Sequence, residues 1–128
     1  MKTIGFIGLG IMGESMCENL IKKREEEVIV YDIVDEKVEQ MVEFGAQAAE
    51  SNSEVAAKSD IIISMVPKSE HVEAVYEDIK SELNKEKLWI DMSTIKPSVS
   101  KELAVKVRDR GAEMVDSPVV KSKSAAVN

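Results

Sequence analysis

Residues 2–13 read KTIGFIGLGIMG, and the reading of this stretch decides the fold. Its first part, Lys2 to Gly8, is a short apolar run in which Ile4, Phe6 and Ile7 suit a strand buried on both faces. The run passes at once into Gly8-Leu9-Gly10-Ile11-Met12-Gly13, a GxGxxG. From Ile11 to Lys23, Met12, Met16 and Leu20 recur at helical spacing, and Lys22, Lys23 and Arg24 complement the negative end of a helix dipole. Strand, glycine turn and helix in that order supply what a pyrophosphate needs: a tight turn, close approach to backbone N–H groups, and a helix N-terminus facing the anion. The alternative, a glycine-rich turn with no ligand, is weighed against by the flanking strand and helix.

The alternation continues outward from there. Val28 to Tyr31 is a β-branched run ending at Asp32, and Asp35 is expected to cap a helix whose apolar side is Val38, Met41 and Val42, stopped by Gly45. A brief strand over Ala46 to Ala48 leads to Ser53, placed to cap a short helix from Glu54 to Lys58. Asp60 to Val66 contains IIISMV, the most hydrophobic run in the chain, and predicts a central strand ended by Pro67, which lacks the donor such a strand needs. His71 to Leu83 carries Val72, Val75, Ile79 and Leu83 on one helical side. Leu88 to Asp91 follows as a strand, and a helix runs from Pro97 or Ser98 to Arg110, closed by Gly111. Glu113 to Asp116 makes a last strand before a polar tail, Lys121 to Asn128. Strands and helices alternating over short connections predict an α/β fold, a doubly wound parallel sheet of the Rossmann type with helices on both faces, as one domain over residues 1–128.

Composition bounds the function. The chain has 128 residues, 44% of them hydrophobic, and 17 Lys plus Arg against 24 Asp plus Glu give a formal net charge of −7. A chain of this size buries roughly two thirds of the surface its unfolded form exposes, so it builds a core without staples. Disorder and fibrous classes are excluded. The acidic balance argues against a nucleic acid partner, which would require clustered cations. No apolar run approaches the roughly 20 residues that span a bilayer, and the chain opens directly into a strand, so a cytoplasmic protein without a membrane partner is expected. One cysteine, Cys17, and one histidine, His71, leave little for a disulfide, a metal site or a Cys/His nucleophile pair.

Asp32 stands at the end of the second strand, roughly twenty residues past the glycine turn, where a carboxylate can accept hydrogen bonds from the adenosine ribose hydroxyls. That favours NAD over NADP, because a 2′-phosphate would meet like charge. No Arg follows to reverse the preference, and the nearest basic residue downstream is Lys37. The alternative role for Asp32, capping the next helix, can be filled by Asp35.

Several spaced strings together carry a resemblance. GFIGLGIMGESMCENL, the run IIISMVP, DMSTIKP from Asp91 to Pro97, and DSPVV from Asp116 resemble the β-hydroxyacid dehydrogenases, the group containing 3-hydroxyisobutyrate and 6-phosphogluconate dehydrogenases. The match runs over essentially the whole chain. The resemblance implies that Gly8, Leu9, Gly10, Ile11, Met12, Gly13 and Asp32 bind the cofactor, that Val66 and Pro67 border it, and that Thr94 sits by the nicotinamide ribose and the substrate, with its neighbour Ser93 a second substrate-binding candidate. It implies an intact enzyme that oxidises a small anionic 3-hydroxy acid, or reduces the aldehyde, as a homo-oligomer. The catalytic Lys of the family belongs to an all-helical domain expected beyond Asn128, so no catalytic residue is assigned within the chain, and no metal.

The chain departs from the family pattern at DAPVSGG, where Val120, Lys121 and Ser122 stand in place of Ser-Gly-Gly. Val120 cannot hold a substrate carboxylate as that serine does. Lys121 can take over by contacting an anionic group, or Lys121 and Lys123 are solvated tail residues; both readings stay open. His71 gives little support for a His-based proton relay and reads as a surface helix residue near the adenine. Cys17 reads as an inert thiol and Trp89 as core. The competing function is a nucleotide-sensing Rossmann module without chemistry, which would have no need of hydroxyls in DMSTIKP.

Overall fold

The computed structural model describes residues 2–23 and 26–117. The elements run β1 (Thr3–Ile7), α1 (Ile11–Lys23), β2 (Glu27–Tyr31), α2 (Asp35–Glu43), β3 (Gln47–Ala48), α3 (Asn52–Lys58), β4 (Ile61–Ser64), α4 (Ser69–Ile79), a 3-10 turn (Lys80–Glu82), β5 (Leu88–Asp91), α5 (Pro97–Asp109) and β6 (Glu113–Asp116). All six strands are parallel, in the order β3-β2-β1-β4-β5-β6. The chain thus builds outward on one side of β1, returns, and builds outward on the other. The reversal lies between β1 and β4, and in open parallel sheets the crevice at such a point, outside the carboxyl ends of the strands, is where ligands bind.

Side chains alternate across the sheet with period two, and each face has its own core. Ile29, Ile62 and Trp89 point toward α3, α4 and α5, where they pack with Val55, Val72, Ile79, Leu103 and Val107. Phe6, Val28 and Val30 point the other way, onto Cys17 of α1 and Val38 and Met41 of α2. β1 is buried from Ile4 to Ile7, as its unbroken apolar run predicts. Gly5 permits the close seat of α3 on the sheet, because a Cβ there would stand 2.2 Å from Ser59 Oγ and 2.4 Å from Val55 Cγ1.

Three helix boundaries differ from the expectation. Asp35 is the first residue of α2 and does not cap it; Val34 occupies the cap position without a side-chain hydrogen bond, and Asp35 sits in the first turn, where its charge meets the helix dipole. α3 is capped by Ser51 and not by Ser53: the Ser51 hydroxyl accepts from Glu54 N–H at 3.1 Å, while the Glu54 carboxylate accepts from Glu50 N–H at 2.7 Å. This reciprocal arrangement satisfies two donors at once, and Ser53 is too far into the first turn to do so. α4 starts two residues before His71 and tightens into the 3-10 turn after Ile79, with Leu83 buried beyond it. The apolar spacing located that helix's buried face correctly, because a 3-10 turn keeps the same side of the chain inward over one turn.

Candidate functional site

A cavity of about 700 Å³ opens at the carboxyl ends of β1, β2, β4 and β5. It is bounded by the glycine turn, by Asp32 after β2, by Val66 and Pro67 after β4, and by Ser93 and Thr94 after β5. Every site residue expected from the described part of the sequence therefore lies in one crevice. Lys121 lies outside the described residues. Among the described residues lining the cavity there is no Lys or Arg, so its capacity for an anion comes from backbone.

The three glycines of the turn do different things. Gly8 has φ +94°, and a Cβ there would lie 2.1 Å from the carbonyl oxygen of Met65, the residue that carries the chain out of β4. Only glycine meets both conditions. At Gly13 a Cβ would lie 2.3 Å from the Gly8 carbonyl oxygen, so this glycine lets α1 close onto the turn. At Gly10 a Cβ would meet no protein atom within 4 Å. Protein packing does not require a glycine there, and the backbone at this position is open to the cavity. The first N–H groups of α1 have no partner within the helix, and they face this open side with the positive end of the dipole.

Asp32 is tied to the turn. Its Oδ2 accepts from Leu9 N–H at 2.6 Å and its Oδ1 from Val34 N–H at 2.8 Å, so one carboxylate fixes the glycine turn against the end of β2. Gly8 N–H also donates to Tyr31 C=O at 3.2 Å. Each carboxylate oxygen keeps a second lone pair, and Asp32 is half-buried at the cavity edge. It can hold the turn and still accept from hydroxyls.

On the β4–β5 side the hydroxyl expected next to Thr94 is turned inward. Ser93 is buried, its hydroxyl accepting from Val66 N–H and donating to Asp91 Oδ1, both at 2.8 Å. Asp91 Oδ1 also accepts from Ser64, whose oxygen accepts in turn from Trp89 Nε1, each at 2.8 Å. Asp91 is buried, its Oδ2 has no partner among the described residues, and burial raises its carboxyl above the usual range despite the serine hydrogen bonds. The chain Trp89–Ser64–Asp91–Ser93–Val66 thus runs from the core to the cavity wall. Thr94 is exposed at the cavity.

Sequence reasoning missed part of the wall. Tyr31, Met65 and Met92 adjoin residues that were singled out, and the strand-end position of each could have indicated them. Asn52 and Asp78, joined by a 3.0 Å hydrogen bond between α3 and α4, carry no such signal, because only the packing of those two helices brings them to the crevice. His71 is exposed on α4 and lines the cavity. Cys17 is fully buried, and desolvation pushes its thiol up to about 12. Among the described residues no group of three or more His, Cys, Asp or Glu could hold a metal ion, and no helix is long and apolar enough to cross a membrane.

Comparison with known proteins places this geometry. The family described as the NAD binding domain of 6-phosphogluconate dehydrogenase matches residues 3–128. Mitochondrial 3-hydroxyisobutyrate dehydrogenase from Mus musculus is 45% identical over 126 residues, covering 96% of this chain and 37% of the relative. NAD-dependent L-serine dehydrogenase from Pseudomonas aeruginosa is 38% identical over 122 residues, covering 93% of this chain and 41% of the relative. The solved structure of Mycobacterium tuberculosis 3-hydroxyisobutyrate dehydrogenase with L-serine superposes with a TM-score of 0.92 at 30% identity, covering 99% of this chain and 43% of that one. The chain therefore spans well under half the length of these relatives. With a glycine turn at the switch point of a parallel sheet, a carboxylate after β2 and a family match over nearly its whole length, the chain belongs to the NAD-binding domains of the 6-phosphogluconate dehydrogenase family.

Proposed function

We propose that this chain is the cofactor-binding domain of an oxidoreductase that uses NAD in preference to NADP and acts on a small anionic 3-hydroxy acid, or on the corresponding aldehyde in reverse. The observation that carries the reading is Gly10, an unstrained glycine whose missing side chain would enter the cavity and touch no protein atom. When bound, NAD supplies the hydride acceptor. The chain supplies position. Gly10, Ile11, Met12 and Gly13 offer the pyrophosphate N–H groups and the α1 dipole, Gly8 and Leu9 shape the turn through their N–H bonds to Tyr31 and Asp32, and Asp32 accepts from the adenosine ribose. Val66 and Pro67 border the nicotinamide half. Thr94 donates or accepts at the nicotinamide ribose and the substrate, with Ser93 holding the wall behind it.

The proton acceptor for the substrate hydroxyl is a Lys supplied by the helical domain of the intact enzyme, which also makes its homo-oligomer contacts. On that reading residues 1–128 bind cofactor without turnover. The relatives named above act on 3-hydroxyisobutyrate and L-serine, and substrates of that class, small with a carboxylate, fit the proposal; Lys121 is a candidate contact for the anionic group. Cytoplasmic residence is proposed although the Mus musculus relative is mitochondrial, and fractionation of source cells tests it.

An NMR titration of the isotopically labelled chain with NADH tests the site assignment. Backbone amides of Leu9, Gly10, Gly13 and Thr94 are expected to shift together and saturate. Shifts confined to another surface would refute it.

A further inference from the structure

Helices α1 and α2 share a charged cluster that the proposed site does not use. Glu14 lies in the first turn of α1, directly after Gly13, beside the helix end assigned to the pyrophosphate. Both of its carboxylate oxygens are taken by α2: Oε2 accepts from Lys37 Nζ at 3.1 Å and Oε1 from Gln40 Nε2 at 2.7 Å. Lys37 is the first basic residue after Asp32. Its backbone N–H donates to Val34 C=O, and Val34 N–H is the donor that Asp32 Oδ1 accepts. The lysine thus starts one turn after Val34, whose N–H the Asp32 carboxylate holds, and its ammonium is drawn across to the other helix.

We propose that Glu14 is a specificity-determining residue for the cofactor: by holding Lys37 between α1 and α2 it withholds from the ribose edge the first cation that follows Asp32 in the chain. The inference rests on the reading of Asp32 as the ribose ligand and deepens it. Lys is a compact point charge on a flexible stem, well suited to a phosphate once it is released. A 2′-phosphate thus faces two obstacles: repulsion by Asp32, and competition with a carboxylate already paired to Lys37. The pair is only partly exposed, with Lys37 at 36% and Glu14 at 24%, so solvent screens it incompletely. Lys37 in return neutralises Glu14, which would otherwise repel the pyrophosphate of either cofactor.

The test is a fluorescence titration of the 128-residue chain with NADH and with NADPH, for the unaltered protein, Glu14→Gln, Lys37→Gln and the double variant. Melting curves verify that each is folded. Glu14→Gln should lower the ratio of the NADPH Kd to the NADH Kd about two- to fivefold, the range set by partly exposed ion pairs. Lys37→Gln alone should leave the ratio unchanged, and the double variant should return it to the unaltered value. The double variant matters because deleting an acid next to the site favours the more anionic cofactor by itself; a gain of the same size on going from Lys37→Gln to the double variant overturns the proposal. An unchanged ratio in Glu14→Gln overturns it too, as does a ratio raised by Lys37→Gln alone, which would mean that Lys37 already reaches the phosphate or that net charge beside the site, not the holding of Lys37, sets the ratio. Those failures leave NADH preference intact in the unaltered chain. If that chain prefers NADPH or binds neither cofactor, the reading of Asp32 falls and takes this inference with it.

Discussion

A methyl group added at Gly8, Gly10 or Gly13 meets three different surroundings, and the three alanine variants separate what the fold needs from what the ligand needs. At Gly8 the left-handed φ of +94° costs an alanine about 1–2 kcal/mol. The 2.1 Å approach to the Met65 carbonyl adds an overpacking term of about 1–3 kcal/mol, because two backbone segments must part. At Gly13 the φ is not positive, and the 2.3 Å contact with the Gly8 carbonyl leaves the overpacking term alone. At Gly10 neither term applies; the reduced freedom of the unfolded chain favours alanine by about 0.4–1 kcal/mol, and the preference of the α1 N-cap for glycine over alanine opposes it by a similar amount. With a melting temperature that moves about 4 °C per kcal/mol in a domain of this size, Gly8→Ala should lose roughly 8–20 °C and Gly13→Ala roughly 4–12 °C. Gly10→Ala should hold its melting temperature to within a few degrees.

Binding should invert that order. Gly10→Ala, the most stable of the three, should lose about tenfold or more in NADH affinity, which corresponds to 1.4 kcal/mol of lost approach between pyrophosphate and backbone. Thermal melts and NADH fluorescence titrations on the same samples give both quantities. A Gly10→Ala protein that melts and binds like the unaltered chain would refute the assignment of Gly10 to the pyrophosphate. One that unfolds would refute the claim that packing does not require the glycine.

Four further outcomes follow from the same geometry. Asp32→Asn removes the charge that a 2′-phosphate would meet and should shift the NADPH-to-NADH Kd ratio by about 5- to 150-fold toward NADPH, from about 1–3 kcal/mol of repulsion across a partly solvated gap; paired titrations measure it. Ser93→Ala leaves Val66 N–H without its acceptor and should destabilise the domain by about 1–3 kcal/mol in urea unfolding while weakening NADH binding. Asp91 has a folded-state pKa raised by burial, so it favours folding below its ordinary value of 3.8 and loses that contribution as pH rises through the raised value. Stability measured from pH 4 upward should therefore contain a falling component that Asp91→Asn lacks. Cys17, with its thiol pushed up to about 12 by burial, should not react with a disulfide reagent at pH 8 until denaturant is added, and rapid native labelling would show that α1 opens.

The parts of the site that a reader of the sequence could find are those whose chemistry is local. The glycine turn announces itself because Gly8, Gly10 and Gly13 sit between a buried strand and a helix, and Asp32 because it closes the next strand. Pro67 and Thr94 became legible through their strings, IIISMVP and DMSTIKP. Ser93 was legible as a hydroxyl at the right place but not in its direction, since that depends on Asp91 being buried beneath it and on Val66 N–H needing an acceptor across the β4–β5 gap. The cap of α3 was misjudged for a related reason: Ser51 and Ser53 are equivalent as residue types, and only the reciprocal bonds of Glu54 distinguish them. Asn52 and Asp78 were out of reach, because α3 and α4 meet through packing that leaves no periodic trace at those two positions. The pairing of Lys37 with Glu14 joins residues on different helices and was equally hidden.

The most direct measurement of the central claim uses the protein's single tryptophan, Trp89, buried in β5 and linked through Ser64 and Asp91 to the cavity wall. Its emission is followed by energy transfer to the reduced nicotinamide as NADH, and separately NADPH, is titrated into the chain. The account predicts saturable binding of NADH at one site per chain, with NADPH weaker. Tighter binding of NADPH, or no transfer to either, would contradict it.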